Sequence, residues 1–302
     1  MSNKPLVLAA RTPMLDNAPL VIISLLIFDS LHFVFARLLL PYLPPTTSGM
    51  YVLGIATVEV AIFIALWDRI HFDVFHRYLW FFLSIGFLVA LSTAMTYASV
   101  AFIDPGTASL LGKASILFGL GFGVIWLRER LTRLESAGSL IAAGGLVMIT
   151  FQPGDYLRLG ALIVLISTFL YALHAALVKR YGGDMSLSDF FFFRVASTTG
   201  FLFLFAAGRG ELMWPNAQAW LILLLTGTVD IVISRGLYYL ALRRLRLSLH
   251  SIVLTLSPVV TIGWTLVLFG ISPTLPQLIG GAGVMGGMLM LTIGKVDLRR
   301  KY

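Results

Sequence analysis

The sequence predicts an all-α polytopic membrane protein, with ten transmembrane helices arranged as two inverted five-helix repeats. Three observations lead there. Apolar blocks are long enough to cross a bilayer, basic residues fall almost entirely on one side of it, and one register lays the second half of the chain on the first.

The apolar blocks come first. Hydrophobic residues make up 58% of the 302 residues and charged residues only 12%. Soluble domains carry about a quarter charged residues, so this chain could hardly cover a water-facing surface. Its blocks reach roughly 18 residues or more, the length that crosses about 30 Å of hydrocarbon. A segment in lipid must satisfy its own backbone, which selects helices. A membrane β-barrel would show alternating segments of about ten residues, and that pattern is missing. With no cysteine, disulfides and thiolate metal sites are excluded.

Ten candidate spans follow. In the first half they cover 18–40, 50–67, 78–98, 105–127 and 134–151. In the second half they cover 159–178, 188–207, 217–240, 249–269 and 275–294. This divides the chain into a first repeat at 18–151, a linker at 152–158 and a second repeat at 159–294, with tails at 1–17 and 295–302. The first tail has only a short apolar patch, LVLAA, between Pro5 and Pro13, too little for a signal-peptide core. The connections are short. Pro41, Pro44 and Pro45 read as helix stoppers between spans one and two. No loop is long enough to form a catalytic or binding domain outside the membrane.

Charge sets the orientation. With the amino terminus in the cytoplasm, Arg158 and Arg209 are the basic residues of the outer loops. Arg37, Lys113, Arg194 and Arg235 lie within spans, and the other sixteen of the 22 lysines and arginines fall on the cytoplasmic side. This positive-inside distribution puts both termini in the cytoplasm. The expected setting is a bacterial inner membrane. The net charge of +8 is then a feature of topology and of contact with anionic lipid, and no nucleic-acid partner is needed to explain it.

A shift of 142 residues aligns the halves without gaps. FDSLHFVFAR at 28–37 meets LYALHAALVK at 170–179, so His32 meets His174 and Arg37 meets Lys179. Ser92 meets Ser234, Tyr97 meets Tyr239, and Gly138, Gly144 and Gly145 meet Gly280, Gly286 and Gly287. Five spans is an odd number, so the second half enters the membrane from the opposite side. Inverted repeats of this kind are a route to alternating access.

Each repeat ends on a glycine-rich span. The first reads VIWLRERLTRLESAGSLIAAGGLVMI at 124–149 and includes Glu129. The second reads LSPVVTIGWTLVLFGISPTLPQLIGGAGVMGGMLM at 256–290 and includes Pro258. In these segments the chain resembles the drug/metabolite transporter superfamily, and within it the EamA-like carriers, over residues 18–294. Ile271 stands at the second glutamate position of that pattern and Ile116 at its first proline position. The resemblance implies ten spans in two repeats and a carrier of small metabolites or drugs.

Ionisable groups inside spans are costly and mark candidate sites. Asp29 and His32 share one helical face. Glu59 lies deep in span two, Lys113 in span four, His174 in span six, Arg194 in span seven, and Asp230 with Tyr239 in span eight. These eight residues are the candidate substrate-binding set. For each, a buried helix-packing pair remains the competing role. Arg235 could anchor a carboxylate or reach the interface. Glu129, among Arg128, Arg130 and Arg133, is expected to brace a cytoplasmic turn.

The functional expectation is a secondary transporter, moving a small polar or amphipathic metabolite such as an amino acid. Protons are a candidate coupling ion, membrane lipid is the surrounding partner, and no cofactor or metal is called for. The alternatives are a channel and a lipid exporter or scramblase. No H-E-x-x-H, G-x-S-x-G or G-K-[ST] pattern supports an enzyme or an ATP-driven pump.

Overall fold

The computed structural model describes residues 18–67, 69–126, 128, 131–151, 159–182, 185–238 and 247–301. Among them every regular element is helical. The order is α1 (Ala18–Ser30), α2 (His32–Leu39), α3 (Pro45–Trp67), α4 (Phe72–Arg77), α5 (Leu79–Ser99), α6 (Pro105–Gly112) and α7 (Ala114–Ile125). Then follow α8 (Arg133–Thr150), α9 (Leu159–Tyr181), α10 (Leu187–Gly208), α11 (Ala217–Tyr238), α12 (Leu247–Phe269) and α13 (Leu275–Lys301). Among the described residues, 8 helical segments are long and apolar enough to cross a membrane. The apolar stretch Val253–Phe269 of α12 is shorter, and α8 has 18 residues. The protein is an integral, all-α polytopic membrane protein.

Local chemistry fixes several helix ends. Pro45 starts α3 instead of ending a helix. At the first helical position its missing N–H costs nothing and its fixed φ is already helical. Pro105 does the same for α6, where the Asp104 carboxylate accepts from the Thr107 N–H at 2.8 Å and from its hydroxyl at 2.6 Å. Thr132 and Glu135 form a reciprocal capping box on α8, with the Thr132 N–H donating to Glu135 at 2.8 Å. Glu129 lies outside the described residues; the acid that braces the start of α8 is the buried Glu135.

Three spans depart from regular α-helix in mid-course. Leu31 separates α1 from α2, and Lys113 separates α6 from α7. Within α11, Thr226–Ile233 widens into a π-helix. In a bilayer such breaks survive where protein or a hydrated cavity answers the backbone groups they free.

Two helix seams join the halves of the chain. The first joins α8 to α13. A Cβ on Gly138 would lie 2.7 Å from the Gly287 carbonyl oxygen, and one on Gly145 would lie 2.5 Å from that of Gly280. Numbering rises on α8 as it falls on α13, so the helices cross antiparallel, backbone against backbone. The second seam joins α3 to α10, where the Thr57 and Thr199 hydroxyls meet at 3.2 Å. Between the seams, α5 packs on α9, α7 on α9, and α1 on α12.

Candidate functional site

The three broken spans meet at one cavity of about 330 Å³ inside the bundle. Its wall comes from α1, α2, α3, α5, α6, α7, α9, α10, α11 and α12. Asp29, His32, Lys113, Arg194 and Asp230 line it, five of the eight sequence candidates.

His32 and Asp230 form the tightest polar contact. The Nδ1–H of His32 donates to the Asp230 carboxylate at 2.7 Å, joining the first span to the eighth. Both residues line the cavity, with the Asp230 side chain buried and that of His32 32% exposed. The π-helix carries Asp230, and π-bulges recur at functional sites because they re-aim one side chain within a helix. The ring of Tyr97 stands edge-on to the imidazole at 6.2 Å.

Lys113 and Arg194 lie on other elements. The Lys113 ammonium donates to the Leu254 carbonyl at 2.8 Å, and the Asp29 carboxylate attracts it across the cavity. Arg194 lines the cavity with Tyr171, and its Nε is buried without a hydrogen-bond partner among the described residues. Arg235 also lines the cavity. Both signs of charge therefore share one small space, beside a hydroxyl wall. In that wall Thr96 meets Ser167 at 2.6 Å, and Ser92 donates to the Ser167 carbonyl at 2.9 Å.

Two sequence candidates lie elsewhere. The Glu59 carboxylate accepts from the Thr228 hydroxyl at 2.6 Å, outside the cavity lining. His174 is buried behind Tyr171, with ring centroids 5.2 Å apart, and neither ring nitrogen has a hydrogen-bond partner among the described residues. Tyr239 lies outside the described residues. The candidate set omitted Tyr171, Tyr238 and the hydroxyls. Two signals pointed to them: Tyr171 is the repeat mate of Asp29, and Ser92 and Thr96 are four apart on one helical face.

Beyond His32, hydrogen bonds tie neighbouring helices together. Trp264 Nε1–H donates to the Ser30 hydroxyl at 3.1 Å, and the Thr261 hydroxyl donates to the Ser30 carbonyl at 2.9 Å. The Arg37 guanidinium donates to the Val100 carbonyl, drawing α2 against the end of α5. A separate hollow of about 620 Å³, lined by Arg37, Asp104 and Gln277, lies at this end of the bundle.

The arrangement has counterparts among known proteins. The model of the EamA-like transporter family matches twice, at residues 17–151 and 158–293. The chain is 28% identical over 193 residues to the uncharacterized transporter YdfC of Bacillus subtilis, covering 62% of each chain. It is 29% identical over 104 residues to an uncharacterized transporter in the sor 3' region of Acidianus ambivalens, covering 34% of this chain and 40% of that one. The aligned part thus spans about three fifths of the first relative and two fifths of the second. One solved crystal structure has the same fold at a TM-score of 0.64 and 19% identity, covering 91% of this chain and 97% of that one.

Proposed function

The chain belongs to the EamA-like transporter family, and on that premise we propose that it is a secondary carrier moving a small polar or amphipathic metabolite across the membrane by alternating access. The observation that carries this reading is the cavity of about 330 Å³, with His32, Asp230, Asp29, Lys113 and Arg194 at breaks and faces of several spans. It has room for a compact molecule, and it offers partners for an amine, a hydroxyl and an acid at once. An amino acid or a related compound has that chemistry. Glu59 and His174 remain in the proposal as groups acting from behind the wall, and Tyr239 remains in it on the strength of the sequence. Protons are the proposed coupling ion, with His32 and Asp230 as the pair whose bond a proton or cargo exchanges.

The architecture in this proposal is ten spans in two inverted repeats. Three features support it. The family match falls once on each half. The contacts of Gly138 with Gly287 and of Gly145 with Gly280 exchange into each other under the shift of 142 residues. Helix packing exchanges in the same way: span three meets span six as span eight meets span one, and span seven meets span three as span two meets span eight. An axis in the membrane plane would let the halves trade roles, opening the site to each side in turn. The proposal also has both termini in the cytoplasm of a bacterial cell, an orientation that the basic-residue distribution supports. Single cysteines at Ser2 and Tyr302, in a chain that has none, would react from outside if that orientation is wrong.

Purified protein in liposomes tests the function. Amino acids, organic acids and small amines are offered as labelled cargo, beside a lipid-scrambling assay and single-channel recording. The carrier reading expects saturable uptake of one chemical class at rates far below ion-channel flux. Scrambling without uptake, or channel currents, would replace it.

A further inference from the structure

Span nine contains a backbone defect. Pro258 lies inside α12. A proline nitrogen carries no hydrogen, so the carbonyl four residues earlier loses its helical donor. That carbonyl belongs to Leu254, and an unanswered carbonyl in the hydrocarbon region is strongly penalised. The Lys113 ammonium answers it at 2.8 Å. Lys113 occupies the break between α6 and α7, where its own N–H bonds to the Leu110 and Leu111 carbonyls. The repeat register pairs spans four and nine, with Ile116 opposite Pro258 and Thr255 opposite Lys113. The second half thus carries the defect and the first half its cap.

We infer that Lys113 is a cargo-sensing latch, whose ammonium is shared between the Leu254 carbonyl freed by Pro258 and an acidic group, a carboxylate or similar oxyanion, on the cargo. Lys113, Leu254 and Ser257 all line the cavity, so an acidic group entering it comes within reach of this bond. A charged oxyanion is a stronger acceptor than a neutral carbonyl. The ammonium has three donors, so it can pass from one acceptor to the other through a state that holds both. The buried Arg194 Nε is a second donor for the same group. Once the ammonium leaves, the Leu254 carbonyl lacks both the helical donor that Pro258 removes and the Lys113 bond, and a helix bends at such a place. Cargo charge is thereby linked to a movement between the halves. The transfer step rests on the carrier reading above, whereas the latch itself does not.

The test uses the full chain in lipid nanodiscs. Lys113→Met, Pro258→Ala and the double variant form a cycle read by melting temperature. Pro258→Ala restores an N–H for Leu254. Lys113→Met should therefore lower Tm by about 3–6 °C in the wild type and by less than half of that in the Pro258→Ala background. Equal losses in both backgrounds overturn the latch. If Lys113→Met does not fold, Lys113→Thr, which installs the residue of its repeat mate and is too short to reach the Leu254 carbonyl, takes its place in the cycle.

Sodium acetate, sodium succinate and glycine are then titrated against a potassium chloride control of equal ionic strength. Engagement of Lys113 by Leu254 lowers the competent fraction, so Pro258→Ala should bind at least one of the three about threefold more tightly than the wild type. Lys113→Met should bind that same compound more weakly. A non-additive cycle with no such binding in any variant overturns transfer to an acidic group. Neither arm measures flux, so failure of transport in liposomes would remove the carrier proposal without altering either result.

Discussion

The seams and the cavity are built from the same two repeats, yet they use them in opposite ways. At the α8–α13 seam, Gly138 and Gly145 face Gly287 and Gly280, and each of these four glycines has a glycine as its mate. At the cavity the acids, the lysine and the arginines have no counterparts of their own kind. Asp29 has Tyr171 as its mate, Lys113 has Thr255, Arg194 has Val52, and Asp230 has Leu88. His32 and His174 are identical mates, but His32 is bonded to Asp230 whereas His174 has no hydrogen-bond partner among the described residues. The difference teaches a division of labour. In the alternating access proposed above, a seam whose contacts exchange into each other costs about the same free energy when the halves trade roles, so it favours neither opening. A cavity without that equivalence can bind one chemistry and bias one state.

The largest expected effect breaks the symmetric part. Gly145→Val and its mate Gly287→Val should each destabilise the protein by about 3 kcal/mol or more, because the added side chain meets backbone and cannot be relieved by a rotamer change. The two costs should agree, as the contacts of each helix repeat on the other. Gly144→Ala is the control, since a Cβ there meets nothing within 4 Å. Melting curves in nanodiscs provide the measurement. A tolerated Gly287→Val beside a disruptive Gly145→Val would mean that the seam is not equivalent from its two sides.

The next effect sharpens the asymmetric part. Asp230→Asn keeps shape but removes the charge that His32 meets. Initial uptake of the cargo found in liposomes should fall at least about tenfold, which is about 1.4 kcal/mol, and its dependence on pH between 5.5 and 8 should flatten. Asp29→Asn should produce a comparable loss of rate. Glu59→Gln should cost less than either, because the amide oxygen still accepts from Thr228 and the side chain does not line the cavity. A Glu59→Gln loss as large as that of Asp29→Asn would instead give the acid behind the wall a direct part in transport.

Most of the fold was legible in the sequence because lipid imposes length and composition on every span. The span boundaries 78–98 and 188–207 differ from α5 and α10 by single residues for that reason. The cavity was legible only through its charges. A buried Lys113 or Asp230 announces itself in an apolar span, but the face it points to does not. In a soluble helix the apolar stripe gives the inward side. Here both lipid-facing and core-facing sides are apolar, so nothing in the sequence separated Asp29, inside the cavity, from Glu59, outside its wall. The π-helix at Thr226–Ile233 adds to this, since one extra residue in a turn rotates every later side chain. Pro258 was visible, but its partner Lys113 lies 141 positions along the chain from the carbonyl it caps, beyond any local rule.

The smallest expected effect lies where the α3–α10 seam touches its own mate. Thr57 and Thr199 meet at 3.2 Å, and the register makes each the counterpart of the other. A hydroxyl has one proton. Thr57 donates its own to the Leu53 carbonyl at 2.7 Å, and Thr199 to the Val195 carbonyl at 3.0 Å. Leu53 and Val195 are themselves mates, so both protons are committed in the same way and little is left for a bond between the hydroxyls. Thr57→Val and Thr199→Val should therefore each cost only about 0.6 kcal/mol, the usual worth of a polar contact between membrane helices. Valine keeps the branched shape, so packing is nearly unchanged. The two single costs should be equal and the double variant should cost their sum, with a coupling near zero. A coupling above about 1 kcal/mol would show that one hydroxyl turns its proton toward the other. In that case the seam carries a directional bond, and its apparent equivalence is broken at the very contact where the halves meet themselves.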